Sequence, residues 1–450
     1  MLPVEFENRM KKILGDKFDV FMKTYSDTPV RAFRINTKKI SEESFEKINP
    51  FGGEKIPFAD SAYYFNYDGI GNHPYHHAGM IYVQEPAAMS AAASVDIQPD
   101  WKVLDLCAAP GGKSSQIAAK LDDSGLLVSN EIIPSRCKIL TGNIERLGFR
   151  NVVTTCTDAK RMSELFGEEF DLVVVDAPCS GEGMFRKDET AVSEWSEANV
   201  KLCADRQQEI LSYINSLVKA GGYLLYSTCT FSLEENEKCV DKFLTEHPEF
   251  SLVQVNENVK NHTADGINFD GCKPENINYC RRFYPHISKG EGQFIALMKK
   301  NDGSGITPKR KNALEEIPKN EQKIIFDFLD ETLIKYDKKF VKKYKENIVY
   351  FDSDFTVPAG IAFSCGVTIG TVKKNYIQPH HQFFMAMGND FKRKIELTAD
   401  EADSYLKGNT VPCECENGWA VVTVDGCTLG GAKAVNGIAK NHYPKGLRKP

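Results

Sequence analysis

The stretch "VLDLCAAPGGKSSQIAAKL" (103–121) decides the fold, because it reads as a buried strand, a glycine turn and a helix. Its Gly-Lys-Ser end (112–114) is typical of a loop that holds a nucleoside triphosphate. Such a loop needs a glycine five positions before that end, and Cys107 occupies the position. The strand also ends in Asp105, a carboxylate that would repel anions. The turn therefore predicts a ligand that is cationic or rich in hydroxyl groups.

Alternating strand and helix patterns continue from this stretch to residue 300. The expected elements are the strands "KVLDL", "GLLVSNE", "NVVTTC", "DLVVVDAP", "GYLLYSTC" and "QFIALMKK", helices over 114–121, 134–147 and 191–219, and a helix opened by a Ser232–Glu235 capping box. Near-continuous apolar strands separated by helices are typical of a parallel sheet buried on both faces. We therefore predict a doubly wound, mostly parallel, Rossmann-like α/β sheet.

The ends of the predicted strands carry polar side chains, and ligands of such sheets bind beyond the carboxyl ends of the strands. The residues at these ends are Asp105, Glu131, Asp158, Asp176, Cys179 and Cys229. Several carboxylates, with no basic phosphate clamp beyond Lys113, fit a nucleoside that has a positively charged centre. S-adenosylmethionine, a sulfonium, is the expected cofactor. A dinucleotide is disfavoured because the turn is not G-x-G-x-x-G and contains Pro110.

Two cysteines at strand ends, Cys179 and Cys229, indicate the reaction. Carbon 5 of a pyrimidine is too weak a nucleophile to take a methyl group, but a thiolate that adds to carbon 6 makes the ring enamine-like. The adduct then needs an acid for ring nitrogen 3 and a second group for elimination. Cys229, Asp176 and Cys179 can fill these three roles.

Three stretches carry a resemblance to a known family: "VLDLCAAPGGKSSQIA" (103–118), "DLVVVDAPCSGEGMFRKD" (171–188) and "LLYSTCTFSLEENE" (224–237). They strongly resemble the RNA cytosine-5 methyltransferases of the Nop2/NSUN/RsmB superfamily, whose double-cysteine pattern is highly specific. DNA cytosine methyltransferases resemble the pattern only in part, and the Asn/Asp-Pro-Pro-Tyr/Phe motif of amino-methylating enzymes is absent. The tail (418–448) is similar to the PUA-like segment of the bacterial RsmF type. The resemblance implies a class I methyltransferase fold and 16S ribosomal RNA near the decoding region as substrate, either as free RNA or within 30S subunits.

The resemblance also implies roles for the matched residues. Cys229 would be the nucleophile, Cys179 would assist release of the product, and Asp176 would contact both the cytosine and the cofactor. Lys113 would line the catalytic pocket. The remaining expected cofactor contacts are Cys107, Ala108, Ala109, Pro110, Gly111, Gly112, Lys113, Glu131 on the ribose, Arg136, and Asp158 near the adenine.

At 450 residues the chain is too long for one core. The predicted parts are an N-terminal α+β region that binds RNA or positions the substrate (1–95), a methyltransferase domain (96–302), an intermediate C-terminal domain (303–388) and a PUA-like RNA-binding domain (389–450). The net charge is −6, but residues 301–450 carry 22 Lys+Arg against 19 Asp+Glu, or +3, which leaves −9 for the first 300. The last 22 residues hold five basic residues, no acid and Tyr443, a composition that suits contact with phosphates.

Several classes of protein are disfavoured. Cys413, Cys415 and Cys427 lack a fourth ligand at a credible spacing, so we predict no metal site. No stretch approaches the ~20 apolar residues that span a membrane, and no signal peptide is recognisable. We expect a cytoplasmic monomer with reduced cysteines.

Two alternatives stay open. The chain could methylate transfer RNA, since an RNA-binding tail does not choose between RNA classes. It could also be an assembly factor that binds ribosomal RNA without methylating it, although the intact Cys229, Cys179 and Asp176 set argues against this.

Overall fold

The computed structural model describes residues 2–121, 124–303 and 305–450. The N-terminal elements are α1 Val4–Leu14, α2 Phe18–Lys23, β1 Arg31–Ile35, α3 Glu42–Ile48, β2 Ala62–Phe65, α4 Pro74–His77, β3 Ile81–Val83 and α5 Pro86–Ala93. The central elements are β4 Lys102–Asp105, α6 Gly112–Lys120, β5 Leu126–Asn130, α7 Pro134–Leu147, β6 Val152–Thr155, α8 Ala159–Phe166, β7 Phe170–Asp176, α9 Glu189–Glu194, α10 Glu197–Leu211, β8 Val218–Thr228, α11 Glu237–Glu246, β9 Phe250–Leu252, α12 Glu257–Lys260, β10 Ala264–Asp265, β11 Arg281–Phe283 and β12 Gln293–Lys300. The C-terminal elements are α13 Lys319–Thr332, β13 Val341–Tyr344, β14 Asn347–Tyr350, β15 Ala362–Cys365, β16 Val367–Val372, β17 Ile377–Pro379, α14 His381–Met387, β18 Lys394–Leu397, α15 Ala399–Leu406, β19 Val411–Pro412, β20 Gly418–Val424, β21 Cys427–Val435 and β22 Ile438–Asn441.

The central sheet has the strand order β10-β11-β12-β8-β7-β4-β5-β6-β15, with β9 paired to β12. The five adjacent strands β8, β7, β4, β5 and β6 are parallel. Strand β12 pairs antiparallel with β8 on one side, and β15 pairs antiparallel with β6 on the other. Neighbouring residues of one strand pack into different cores, as Leu104 and Val103 do on the two faces of the sheet. The predicted α/β fold with a large central sheet is confirmed, but of its described strands only the five at the centre are parallel, and the strands added on both sides are antiparallel.

The two ends of the chain pack against each other. The N-terminal sheet β2-β1-β3 and the C-terminal sheet β18-β20-β21-β22-β19 contribute to one hydrophobic cluster, in which Phe33 and Phe45 share a core with Tyr405 and Leu406. The Tyr75 hydroxyl donates a hydrogen bond of 2.6 Å to Asp425 across this junction.

The region 303–388 also contributes to the central sheet. Its strand β15 pairs antiparallel with the edge strand β6, and Cys156 N donates to Ile361 O at 3.0 Å beside this pairing. Phe355 of the same region stacks on Phe166 at a centroid distance of 5.9 Å. This region therefore completes the core of the central sheet.

The predicted helix over 191–219 is wrong in extent. It is two helices, α9 and α10, separated by Trp195, and the strand β8 already begins at Val218. The Trp195 ring is buried against Phe6, and its Nε1 donates to Glu182 at 2.9 Å. The extended backbone at Trp195 that this burial requires ends one helix, and Ser196 caps the next.

The predicted Ser232–Glu235 capping box is also wrong. The Ser232 hydroxyl does accept from Glu235 N at 3.3 Å, but the helix α11 begins only at Glu237. The Glu235 carboxylate instead accepts from Ser180 N at 2.9 Å and from Gln207 Nε2 at 3.0 Å. The Glu235 side chain thus binds Ser180, 55 positions away in the chain, instead of capping the helix that follows it.

Tyr443 does not offer the aromatic surface that its place in the basic tail suggested. The side chain is only 3% exposed, and its hydroxyl lies 2.9 Å from His77 Nδ1. None of the helices in the described part of the chain is long and apolar enough to span a membrane.

Candidate active site

A cleft of about 760 Å³ opens at the carboxyl ends of β4, β5, β6, β7 and β8. The predicted site residues that line it are Cys107, Ala109, Glu131, Arg136, Asp158, Asp176, Cys179 and Cys229. The remaining five predicted residues are Ala108, Pro110, Gly111, Gly112 and Lys113, which complete the turn and begin α6. The structure thus brings residues from five separate strand ends to one place.

The glycine turn approaches the N-terminal region closely. Gly111 has a φ of +111°, a backbone conformation that side chains other than glycine rarely adopt. A Cβ on Gly112 would lie 3.1 Å from the Gln84 side chain. Arg34 donates to Gly112 O at 2.8 Å and to Gln84 at 2.8 Å, so the N-terminal region braces the turn.

Asp105 lies beneath the turn rather than in the cleft. It is fully buried and accepts a hydrogen bond of 2.6 Å from the Ser114 hydroxyl, while its other oxygen, Oδ1, has no hydrogen-bond partner among the described residues. Burial raises the pKa of Asp105 to about 7. Asp105, the carboxylate that argued against an anionic ligand in the turn, therefore fixes the start of α6 through Ser114 and does not line the cleft.

Glu131 and Asp158 form the acidic wall of the cleft. Glu131 accepts from Ile133 N at 3.0 Å, and its second oxygen lies 3.5 Å from Arg136, which also donates to Ala109 O at 2.9 Å. Asp158 accepts from Arg161 N at 2.7 Å and so caps α8 as well as lining the cleft.

The two cysteines meet at the edge of the sheet. Their sulfur atoms are 3.1 Å apart, and Cys229 N donates to the Cys179 sulfur at 3.3 Å. The hydrogen bond with Cys229, together with burial, raises the pKa of the Cys179 thiol well above its usual value. Both thiols line the cleft, so either sulfur can approach a base that enters it.

Lys113 and Asp176 form an ion pair beside the cysteines. Lys113 Nζ lies 2.7 Å from Asp176 Oδ2, and the lysine is only 8% exposed. Burial by itself would lower the pKa of Lys113, but neighbouring groups, Asp176 foremost and Asp105 after it, together outweigh burial and raise the pKa. The lysine that first suggested a phosphate loop is thus a charged partner of the carboxylate in the cleft.

Several residues of the site were not predicted. Ser227 donates to Asp176 at 2.7 Å and Gln293 approaches the same oxygen at 3.5 Å. Glu235 and Gln207 hold the loop that carries Cys179, the former through Ser180 and the latter through Pro178 O at 2.9 Å. These contacts join residues that are far apart in the sequence, so no local sequence pattern indicates them.

The cleft fits S-adenosylmethionine. Its volume is in the range of small-molecule sites, which lies at roughly 300–1,000 Å³. Glu131, Asp158 and Asp176 present carboxylates to hydroxyl groups and to a positive centre, and Ile132 and Ile133 offer apolar surface for a flat ring. Within the described residues, no three His, Cys, Asp or Glu side chains are grouped so as to hold a metal ion.

Family models match most of the chain. They describe 16S rRNA methyltransferase RsmB/F over residues 92–299, the N-terminal domain of 16S rRNA methyltransferase RsmF over 2–86, and the methyltransferase RsmF PUA domain over 392–449.

Known proteins agree with these models. A ribosomal RNA small subunit methyltransferase F of Shewanella piezotolerans is 33% identical and covers 95% of this chain and 93% of its own length. The protein of the same name from Vibrio campbellii is 30% identical, with coverage of 99% and 97%. Among solved structures, a methyltransferase homologue from Pyrococcus horikoshii is 26% identical over 65% of this chain and 93% of its own, with a TM-score of 0.57.

The expected superfamily and type are confirmed by these matches, as is dependence on S-adenosylmethionine. The roles of individual residues stay predictions. From the fold, the cleft and these similarities together, the chain belongs to the RsmF family of S-adenosylmethionine-dependent 16S rRNA methyltransferases.

Proposed function

We propose that this protein methylates carbon 5 of a cytosine in 16S ribosomal RNA near the decoding region, through a covalent bond between Cys229 and carbon 6. The observation that carries the proposal is the contact of 3.1 Å between Cys179 and Cys229, next to the Lys113–Asp176 ion pair. The family membership supports the RNA class, because the curated relatives are named for the small ribosomal subunit.

The chemistry assigns one task to each group. S-adenosylmethionine supplies an electrophilic methyl group. The Cys229 thiolate adds to carbon 6 while ring nitrogen 3 takes up a proton from the Lys113–Asp176 pair. Carbon 5 then takes the methyl group as the methyl–sulfur bond breaks, with release of the neutral thioether S-adenosylhomocysteine, and a base removes the carbon 5 proton. Finally the carbon 6–sulfur bond breaks and nitrogen 3 returns its proton.

Cys179 suits the last step. Its sulfur lies beside the Cys229 sulfur, so it adjoins the bond that has to break. The target base also has to leave its helix, or come from a loop, to reach a thiol at the edge of the sheet. Flipping costs a few kcal/mol, which RNA contacts of the other regions would offset.

The test is methyl transfer from labelled S-adenosylmethionine to three substrates: 30S subunits, free 16S RNA and transfer RNA. We expect 5-methylcytosine at a defined cytosine of 16S RNA. Label found only in transfer RNA would favour that substrate class instead. No transfer to any RNA, with the cofactor still bound, would favour a non-catalytic assembly factor.

Cofactor binding gives a separate prediction. Glu131→Ala should raise the Kd for S-adenosylmethionine about 10- to 100-fold, because hydrogen bonds to a carboxylate contribute about 1.5–3 kcal/mol. Calorimetry would measure the Kd, with Glu164→Ala on the outer face of α8 as the control. Glu131→Gln should lose less, since an amide oxygen can still accept from Ile133 N. An unchanged Kd for Glu131→Ala would remove this residue from the cofactor site.

A further inference from the structure

A row of three side chains crosses the C-terminal sheet. In register, Trp419 of β20 lies opposite Lys433 of β21, and Lys433 lies opposite Lys440 of β22. Both lysines are exposed, and Lys433 Nζ is 5.6 Å from the centroid of the Trp419 ring. Within the described chain, neither lysine forms an ion pair with a carboxylate.

Like charges placed directly opposite each other destabilise a sheet. Residues paired in this way have Cα atoms about 4.5–5.5 Å apart, so the two ammonium groups can approach one another closely. Because neither lysine meets a carboxylate among the described residues, the position of the pair suggests an anionic ligand outside the protein.

Aromatic side chains adjoin the row. The His442 ring lies 4.5 Å from that of Trp419, edge to face, and Tyr376 is 59% exposed in the turn before β17. Together with Lys323 and Phe328 of α13 they line a groove of about 590 Å³ between α13 and the C-terminal sheet. We call this the aromatic–lysine groove.

The acidic residues of the groove do not cancel its charge. Glu331 is already paired with Arg393 at 2.8 Å. Asp327 is exposed at the rim, where its carboxylate can accept a hydrogen bond from an exocyclic amino group of a base.

Exposed aromatic rings beside lysines are the usual means by which proteins hold single-stranded nucleic acid. We propose that the aromatic–lysine groove binds an unpaired stretch of the RNA substrate, with a base against Trp419 and Tyr376 and phosphates on Lys433 and on its neighbour Lys440, which lies beside the groove on β22. The identity of this RNA as substrate rests on the function proposed above. The groove lies apart from the catalytic cleft and shares no lining residue with it.

The test uses the full-length protein and a fluorescein-labelled single-stranded RNA of twelve nucleotides, followed by anisotropy. Lys433→Gln/Lys440→Gln should lower the slope of log affinity against log salt by about 1.4, as expected for the loss of two phosphate contacts. Tyr376→Ala and Trp419→Ala should each weaken binding about tenfold. Tyr376 is the safer variant because Trp419 also packs on Phe384, at a centroid distance of 6.0 Å.

Lys238→Gln/Lys242→Gln in α11 is the matched control, since both lysines are exposed and line neither the cleft nor the groove, and it should leave both affinity and salt slope unchanged. S-adenosylmethionine binding serves as the folding control for every variant. Wild-type affinity and salt slope in the groove variants would overturn the inference. Equal binding of a twelve-residue poly-glutamate peptide would overturn it too, in favour of an acidic protein partner.

The two proposals fail separately. Binding is measured in the Cys229→Ser background, where no methyl transfer is expected, so loss of RNA affinity in the groove variants supports the groove whatever the reaction. Conversely, suppose that wild type forms 5-methylcytosine while the groove variants bind RNA normally. That result would support the proposed function and contradict the proposal that the groove binds RNA.

Discussion

Replacing Cys229 with serine should lower the rate of methyl transfer to 16S RNA at least about a thousandfold, while S-adenosylmethionine still binds. Removal of the nucleophile from an enzyme that works through a covalent adduct has effects of this size or larger. Without the thiolate on carbon 6, carbon 5 stays too weak a nucleophile to take the methyl group. Cys229 follows β8 and is not part of the glycine turn, so the cofactor contacts of the turn should survive. Labelled methyl transfer and calorimetry on the same preparation measure both quantities.

Cys179→Ala is the companion variant. If Cys179 assists release, its loss should leave RNA attached to Cys229, seen as a slow band on a denaturing gel that Cys179→Ala/Cys229→Ser abolishes. Cys203→Ala is the matched control, because Cys203 is buried in α10 and does not line the cleft. A trapped adduct in Cys229→Ser, with none in Cys179→Ala, would reverse the two roles.

Arg282→Met should destabilise the catalytic domain by about 3–5 kcal/mol, the usual effect of leaving a buried charge without its partner. Arg282 Nε donates to Glu237 at 2.6 Å, and the two side chains are 2% and 0% exposed. Arg282 also donates to Phe231 O at 2.9 Å, two residues beyond Cys229. The variant should therefore loosen the loop that holds the candidate nucleophile.

Thermal unfolding followed by circular dichroism measures this effect, and we expect Tm to fall by roughly 10 °C. Lys47→Met provides the contrast, because its ion pair with Glu43 is exposed and contributes at most about 1 kcal/mol. Equal, small shifts for both variants would mean that Glu237 takes up a proton or water at little cost.

The central sheet could be predicted because its signals are local. Val103 and Leu104 belong to a short apolar run, and Gly111 and Gly112 mark the turn after it. The patterns that indicate strand, turn and helix therefore all lie within twenty residues. The candidate site followed from the same signals, since the ends of parallel strands meet at one edge of a sheet.

The errors have a different physical origin, since each depends on a partner distant in the chain. Trp195 interrupts a helical pattern because it is buried against Phe6. The Glu235 carboxylate accepts a hydrogen bond from Ser180 instead of capping a helix, and Tyr443 is buried beside His77. Strand β15 adds to the central sheet from a region whose sequence carries no sign of that pairing.

The core shared by the two ends of the chain has a consequence for how such proteins evolve. Phe33 and Phe45 at one end and Tyr405 and Leu406 at the other cover each other's apolar surface. A gene that lost either terminal domain would leave its counterpart with a bare hydrophobic face, which promotes aggregation. We therefore expect the RsmF N-terminal and PUA domains to be inherited as a pair, and relatives that lack one to lack the other as well.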